Sequence, residues 1–206
     1  MKKITKYIPT IILTLLCSCS DYLDIVPDNV TTLDIVFNNR NTAERYLANC
    51  YHFVPDHGSV KRIPGMGAGH ECWFYTTNDS HFDNEVSFYI ARGLQNIDAP
   101  YANYWDGEGG SNLPMFRAIR ECNIFLDYVR DQHKVNDLTD SERKRWIAEV
   151  NVLKAYYHFF LFEHYGPIPI VDKALPVSTD PEGVKVTRMP VDQIVDYMVK
   201  LIDDSY

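Results

Sequence analysis

Residues 139–169 read TDSERKRWIAEVNVLKAYYHFFLFEHYGPIP, and the fold turns on how this stretch is read. Thr139-Asp140-Ser141-Glu142 is a capping box, in which a hydroxyl can accept a free first-turn amide while a carboxylate three residues on returns the bond. Trp146, Val150, Leu153, Tyr157, Phe160 and His164 then recur at helical spacing. Gly166-Pro167 comes where a helix should stop, glycine turning the chain and proline unable to continue it. The pattern predicts a helix from Asp140 to Tyr165, well beyond the ~11–12 residues of an average helix. Within it Tyr156, Tyr157, Phe159, Phe160 and Phe162 resemble an aromatic binding box, but inside so long a helix most of them must serve the core.

A helix of this length needs an antiparallel neighbour. Phe116, Ile119, Cys122, Leu126 and Val129 mark one from about Pro114 to Asp131, with Pro114 in the first turn, where a missing N–H costs nothing. The short polar connection around Lys134–Leu138 then closes an αα-hairpin. Upstream, Ala43, Leu47, Cys50 and Val54 form a stripe that Asn41 can cap and Pro55 ends. Downstream of Pro190, Val191, Ile194, Val195, Met198, Leu201 and Ile202 share a face. The chain stops at Tyr206 with that stripe unfinished, which reads as a fragment of something longer. The expected class is all-α, built from antiparallel helix pairs.

Asp56 to Asn112 differs from the rest. It holds most of the glycines, Trp73 and Trp105, and a mixture of Tyr, Asn, Asp and His without periodicity. A long irregular, aromatic-rich loop region of this kind is usually functional when ordered. Ile168 to Val186 alternates prolines with apolar residues and reads as loop, with at most a short extended segment.

At the N-terminus, Lys2, Lys3 and Lys6 precede an apolar run from Tyr7 to Leu16. That run is half the ~20 residues needed to span a bilayer, so it reads as an export signal. Leu16-Cys17-Ser18-Cys19 resembles the lipobox of bacterial lipoproteins, with an aliphatic residue at −3 and a small one at −1. Cys19 is the expected lipid attachment site, since Leu16 directly before Cys17 makes that thiol a poor acceptor. Two acyl chains hold a protein on a membrane stably, each buried CH₂ contributing about 0.8 kcal/mol. The expected organisation is a signal peptide over 1–18 and a helical domain over 19–206. Losing residues 1–18 removes three lysines and no acid, taking the formal charge from −8 to −11. Such acidity excludes nucleic acid, which needs clustered Lys and Arg. Cys50, Cys72 and Cys122 show no CxxC pairing and argue against a disulfide framework. Cys50 and Cys122 fall on apolar faces, where cysteine acts as a small hydrophobe.

Several segments together are similar to the SusD/RagB family of Bacteroidetes lipoproteins. Cys19-Ser20-Asp21-Tyr22-Leu23-Asp24 and Pro27, then Asn41-Thr42-Ala43-Glu44-Arg45-Tyr46-Leu47 and Cys50-Tyr51, resemble the family's opening. Arg117 to Leu126 looks like its helix with an Asn followed by aliphatics. Glu149-Val150 through Ala155-Tyr156-Tyr157 to Tyr165-Gly166-Pro167-Ile168-Pro169 looks like its long helix and exit turn. The resemblance covers the mature chain but only the N-terminal part of a family member. It implies tetratricopeptide-like helix pairs, a place on the outer membrane facing the exterior, a SusC-like TonB-dependent transporter as partner, and an oligosaccharide ligand. Asp21 and Asp24 resemble the family's acidic export tether.

A sugar presents apolar C–H faces and a hydroxyl rim, so its site pairs aromatic platforms with hydrogen-bonding side chains. Trp73 with Tyr75, and Tyr104 with Trp105, are the candidate platforms. Asn78, Asp79, Arg92, Asn96 and Asn103 are the polar candidates. No metal or cofactor is expected: His52 and His57, His70-Glu71-Cys72 and Glu163-His164 match no ligand spacing, and Gly65-x-Gly67-x-x-His70 lacks the third glycine of a dinucleotide fingerprint. No catalytic residue is assigned, because among 28 acids some pair always meets the ~5 Å or ~6.5–9.5 Å spacing of a glycosidase. The reading is therefore capture, not catalysis. Its alternatives are a transporter-docking adaptor holding a peptide or nothing of its own, and a surface glycoside hydrolase.

Overall fold

The structure, a computed structural model, describes residues 32–58, 65, 67–69, 86–108, 113–175, 182 and 185–205. The candidates Cys19, Trp73, Tyr75, Asn78 and Asp79, together with Cys72, lie outside them. The chain divides into two units, residues 1–35 and 36–206. A one-turn helix α1 (Leu33–Val36) marks the division, and the second unit holds the remaining helices. These are α2 (Arg40–Tyr51), α3 (Val86–Ala91), α4 (Met115–Arg130), α5 (Asp140–Tyr165) and α6 (Val191–Asp203). Among the described residues there is no strand, and no helix is long and apolar enough to cross a membrane.

The helix read from residues 139–169 is present as α5. Thr139 accepts the Glu142 amide through its hydroxyl oxygen at 3.3 Å and donates to the Glu142 carboxylate at 3.0 Å. Gly166 closes the other end at φ +67°, its N–H donating to Phe162 O at 2.9 Å. Trp146, Val150, Leu153, Tyr157 and Phe160 are all buried, and Phe159 stands half exposed. The His164 ring pairs with Phe160 O at 2.7 Å.

Helices α4 and α5 are antiparallel. Arg143, at the start of α5, reaches Val129 O at the end of α4. At the opposite end Tyr165 and Phe116 both contact the ring of Trp105. Arg143 is itself buried and donates to four carbonyls, those of Val129, Asp131, Lys134 and Val135, at 2.5–3.2 Å. One guanidinium thereby satisfies acceptors that the end of a helix and a tight turn leave open. In the same way α6 runs antiparallel to α5, with Tyr197 against His158 and Ile202 beside Val152. Helix α2 flanks both members of the hairpin: Arg40 pairs with Glu142 at 2.9 Å, Tyr46 donates to Glu121, and Tyr157 donates to Cys50 O.

Cys50 and Cys122 are free, fully buried thiols. The hydrogen bond to Cys50, reinforced by burial, pushes the Cys122 thiol well above its ordinary value.

Three local expectations change. The cap of α2 is Asn39, whose side chain accepts the Thr42 amide at 3.1 Å, and Asn41 lies inside the helix. The shift frees Arg40 to start the helix, where it binds Glu44 and Glu142. Val54 does not continue the stripe: α2 ends at Tyr51, the Val54 amide donates to Tyr51 O in a turn, and the side chain is exposed. Lastly, the region read as one irregular loop contains α3, six residues with Val86, Ser87 and Phe88 buried.

Candidate functional site

The segment from Leu94 to Glu108 is held by its own side chains. The Gln95 amide clamps Tyr101, donating to its carbonyl at 2.8 Å and accepting its N–H at 2.6 Å. Asn96 accepts the Ala99 amide at 2.7 Å. Asn103 accepts the Trp105 amide at 3.1 Å and donates to Asp106 at 2.6 Å. Asp106 in turn accepts the Glu108 amide at 3.0 Å. The Asn103 and Asp106 bonds are Asx-type turns, in which short polar side chains stand in for backbone partners. Gly107 sits at φ +87° against Pro114, where an added Cβ would fall 2.8 Å from the proline ring. Only glycine lets the loop close onto the start of α4.

This scaffold turns neighbouring aromatics in opposite directions. Tyr104 points inward, 1% exposed, with its ring 4.9 Å from Phe160 and 4.7 Å from His164. Its amide donates to Tyr165 Oη at 2.8 Å, and burial raises its phenol above the ordinary value. Trp105 is half-buried and points the other way. Phe116 lies 4.6 Å and Tyr165 5.6 Å from its ring, and Arg188 sits 5.4 Å over it.

Trp105 and Phe116 form one wall of a cavity of about 300 Å³. Val171 and Leu175, from the segment after α5, supply apolar surface, and Arg120 and Lys173 supply charge. Arg120 donates to Leu175 O, tying that segment across α4. Asn123, one turn further along α4, donates to Val171 O at 3.0 Å. A cavity of this size, apolar with a few polar groups, suits one or two sugar rings.

A smaller cavity of about 230 Å³ lies behind the same loop, between Ile90, Gln95, Tyr101, Asn103 and His164. Tyr89 and Tyr101 stack beside it, centroids 4.7 Å apart. Of the sequence candidates, Asn103 and Tyr104 border this second cavity, while Trp105 lines the first. Arg92 is exposed in the turn after α3 and lines neither.

Sequence reasoning missed Phe116, Arg120, Lys173, Tyr89 and Tyr101. By spacing Phe116 belongs to the core stripe of α4, whereas it is only partly buried at the stripe's edge. The pair Phe116 and Arg120, one turn apart on that edge, was the available signal. For Lys173 no local signal existed, because only the turn after Gly166 brings it beside α4. Among the described residues no three His, Cys, Asp or Glu side chains gather as metal ligands.

A family model, SusD-like, described as "Starch-binding associating with outer membrane", matches residues 21–205. Among solved structures, a laminarin-binding SusD-like protein superposes with a TM-score of 0.61 at 17% identity, covering 82% of this chain and 34% of its own. A SusD-like protein from Bacteroides fragilis NCTC 9343 gives 0.57 at 16% identity, with 84% and 30% covered. At that identity the likeness concerns the fold, and the chain spans about a third of the length of these structures. No curated protein matches.

Proposed function

The chain belongs to the SusD-like family, whose description joins starch binding to the outer membrane, and from that premise we propose that it captures oligosaccharide at the cell surface for a TonB-dependent, SusC-like transporter. Residues 1–18 act as the export signal, Cys19 carries the lipid, and residues 19–206 form the helical domain that meets the ligand. The protein works by binding, not catalysis.

The observation that carries this reading is the cavity walled by Trp105 and Phe116, in which an indole meets basic side chains at the end of a rigid helix pair. Its support is chemical: C–H faces of a sugar pack on the rings, and hydroxyls meet Arg120 and Lys173. The laminarin-binding neighbour adds a precedent for glycan binding on this fold. Trp73, Tyr75 and Asn78 remain further candidate contacts from the sequence. The adaptor reading draws on one observation, the inward-facing ring of Tyr104, which removes one of the two rings of the platform expected from Tyr104 and Trp105.

Titrating the purified protein with a panel of neutral and acidic oligosaccharides tests the proposal, with Trp105→Ala in parallel. We expect one glycan class to bind and Trp105→Ala to weaken it tenfold or more, about 1.4 kcal/mol. A folded protein silent across the panel would move the adaptor reading to first place.

A further inference from the structure

Resting on the glycan reading, we propose that the cavity beside Trp105 selects saccharides carrying a carboxylate, with a uronate ring seated against the wall of Trp105 and Phe116, its carboxylate turned to Lys173 and Arg120, and Arg188 adding charge from over the same indole. The chain as a whole is acidic, with a formal charge of −8, so three cations meeting at one cavity run against the protein's own field. Arg120 and Lys173 line the cavity and Arg188 lies over the indole that walls it. No acid is among the described residues of the lining.

Three carboxylates adjoin lining residues in sequence, and all are committed elsewhere: Glu121, next to Arg120, accepts from Tyr46 and pairs with Arg117. Asp172, next to Lys173, accepts from Lys154 at 2.7 Å and from Tyr197 at 2.8 Å. Asp106, next to the Trp105 loop turn, is held by Asn103 and the Glu108 amide. Arg120 and Arg188 each donate to a backbone carbonyl, of Leu175 and Pro167. Those bonds fix the guanidinium planes without neutralising their charge. Lys173 is exposed and makes no ion pair or hydrogen bond among the described residues. A neutral sugar would leave all three charges uncompensated, whereas a carboxylate offers paired acceptor oxygens to the fork-shaped donors of arginine and to the ammonium.

Binding of hexagalacturonate to the purified protein, compared with its methyl ester and with a neutral laminarin oligosaccharide of equal length, tests this. The ester keeps the ring and removes the charge. We expect the free acid to bind at least tenfold more tightly than the ester and to weaken as salt rises, since exposed charges are screened. Lys173→Glu should weaken the acid at least tenfold more than it weakens the laminarin oligosaccharide. Equal binding of acid and ester, or tighter binding of the neutral glycan, would overturn charge selection and leave glycan capture standing. Silence towards all three in a protein shown to be folded would overturn both.

Discussion

At the scale of single residues the least ordinary group is His158. It is fully buried in the middle of α5, with Nδ1 2.7 Å from Lys154 O and Nε2 without a partner among the described residues. A ring nitrogen next to a carbonyl must donate, so Nε2 is a bare acceptor and the ring is neutral. Burial, which outweighs the favourable bond to Lys154 O, lowers its pKa to about 4. In the unfolded chain histidine titrates near ~6.5, so acid protonates the unfolded state first. The stability His158 contributes is full above ~6.5 and is lost as pH falls towards 4, by roughly 3 kcal/mol. The neighbouring Asp172 is also desolvated, but its bonds from Lys154 and Tyr197 hold it below its ordinary value, so its loss comes later, in stronger acid. Urea unfolding at stepped pH should show the midpoint falling through this window, and His158→Gln should flatten that slope. An unchanged slope in the variant would assign the acid sensitivity to other groups.

At the scale of elements the long helix depends on its ends. Gly166 stands at φ +67° and ψ −132°, in a region close to one that only glycine occupies at low cost. Among the described residues beyond its chain neighbours, none lies within 4 Å of the position a Cβ would take, so Gly166→Ala isolates backbone strain from crowding. It should destabilise the fold by about 1–3 kcal/mol, read as a lower thermal midpoint. A loss near zero would mean the exit turn relaxes freely.

Elements were legible in the sequence to the extent that their signals were local. Thr139, Glu142 and Gly166 are caps within one turn of the helix they bound, and α5 could be read almost to the residue. Asn39 and Asn41 are two residues apart and both can cap; the partners of Arg40 across the fold decide between them. Helix α3 is too short, at six residues, to show periodicity; Gly93 at φ +72° closes it, its N–H donating to Ile90 O and that of Leu94 to Tyr89 O, and Phe88 is buried by the tertiary structure. The site was less legible still. Trp105 could be named from composition, but Tyr104 could not be told from it, because which ring turns inward depends on α5. Lys173 comes to the same cavity as Arg120 only through the turn after Gly166, a convergence that no spacing encodes.

At the scale of the molecule the apolar surface is unevenly placed. Ile194, Met198 and Leu201 of α6 are buried against α5, but Val191, Val195, Val199 and Ile202 are 39–49% exposed. Val152 and Phe159 of α5 are equally open and line an apolar groove of about 300 Å³ with Val195, Val199 and Ile202. Continuous apolar surface of this kind drives association in water. The purified 206-residue chain should therefore sediment as larger species with rising concentration, and Val199→Glu should reduce this without unfolding it. A monomer at every concentration would contradict the expectation.

The guanidinium of Arg143 has a bearing on the order in which the chain assembles. Its four acceptors lie only 8–14 residues before it, so they can meet while the rest of the chain is still disordered, at low loop-closure cost. From this we predict that the α4–α5 turn belongs to the folding nucleus, ahead of the more distant docking of α2. Substituting Arg143 by Lys should then slow refolding and leave the unfolding rate nearly unchanged, as seen for groups already at work in the transition state. A stopped-flow chevron decides it: movement confined to the unfolding arm would mean the turn closes last.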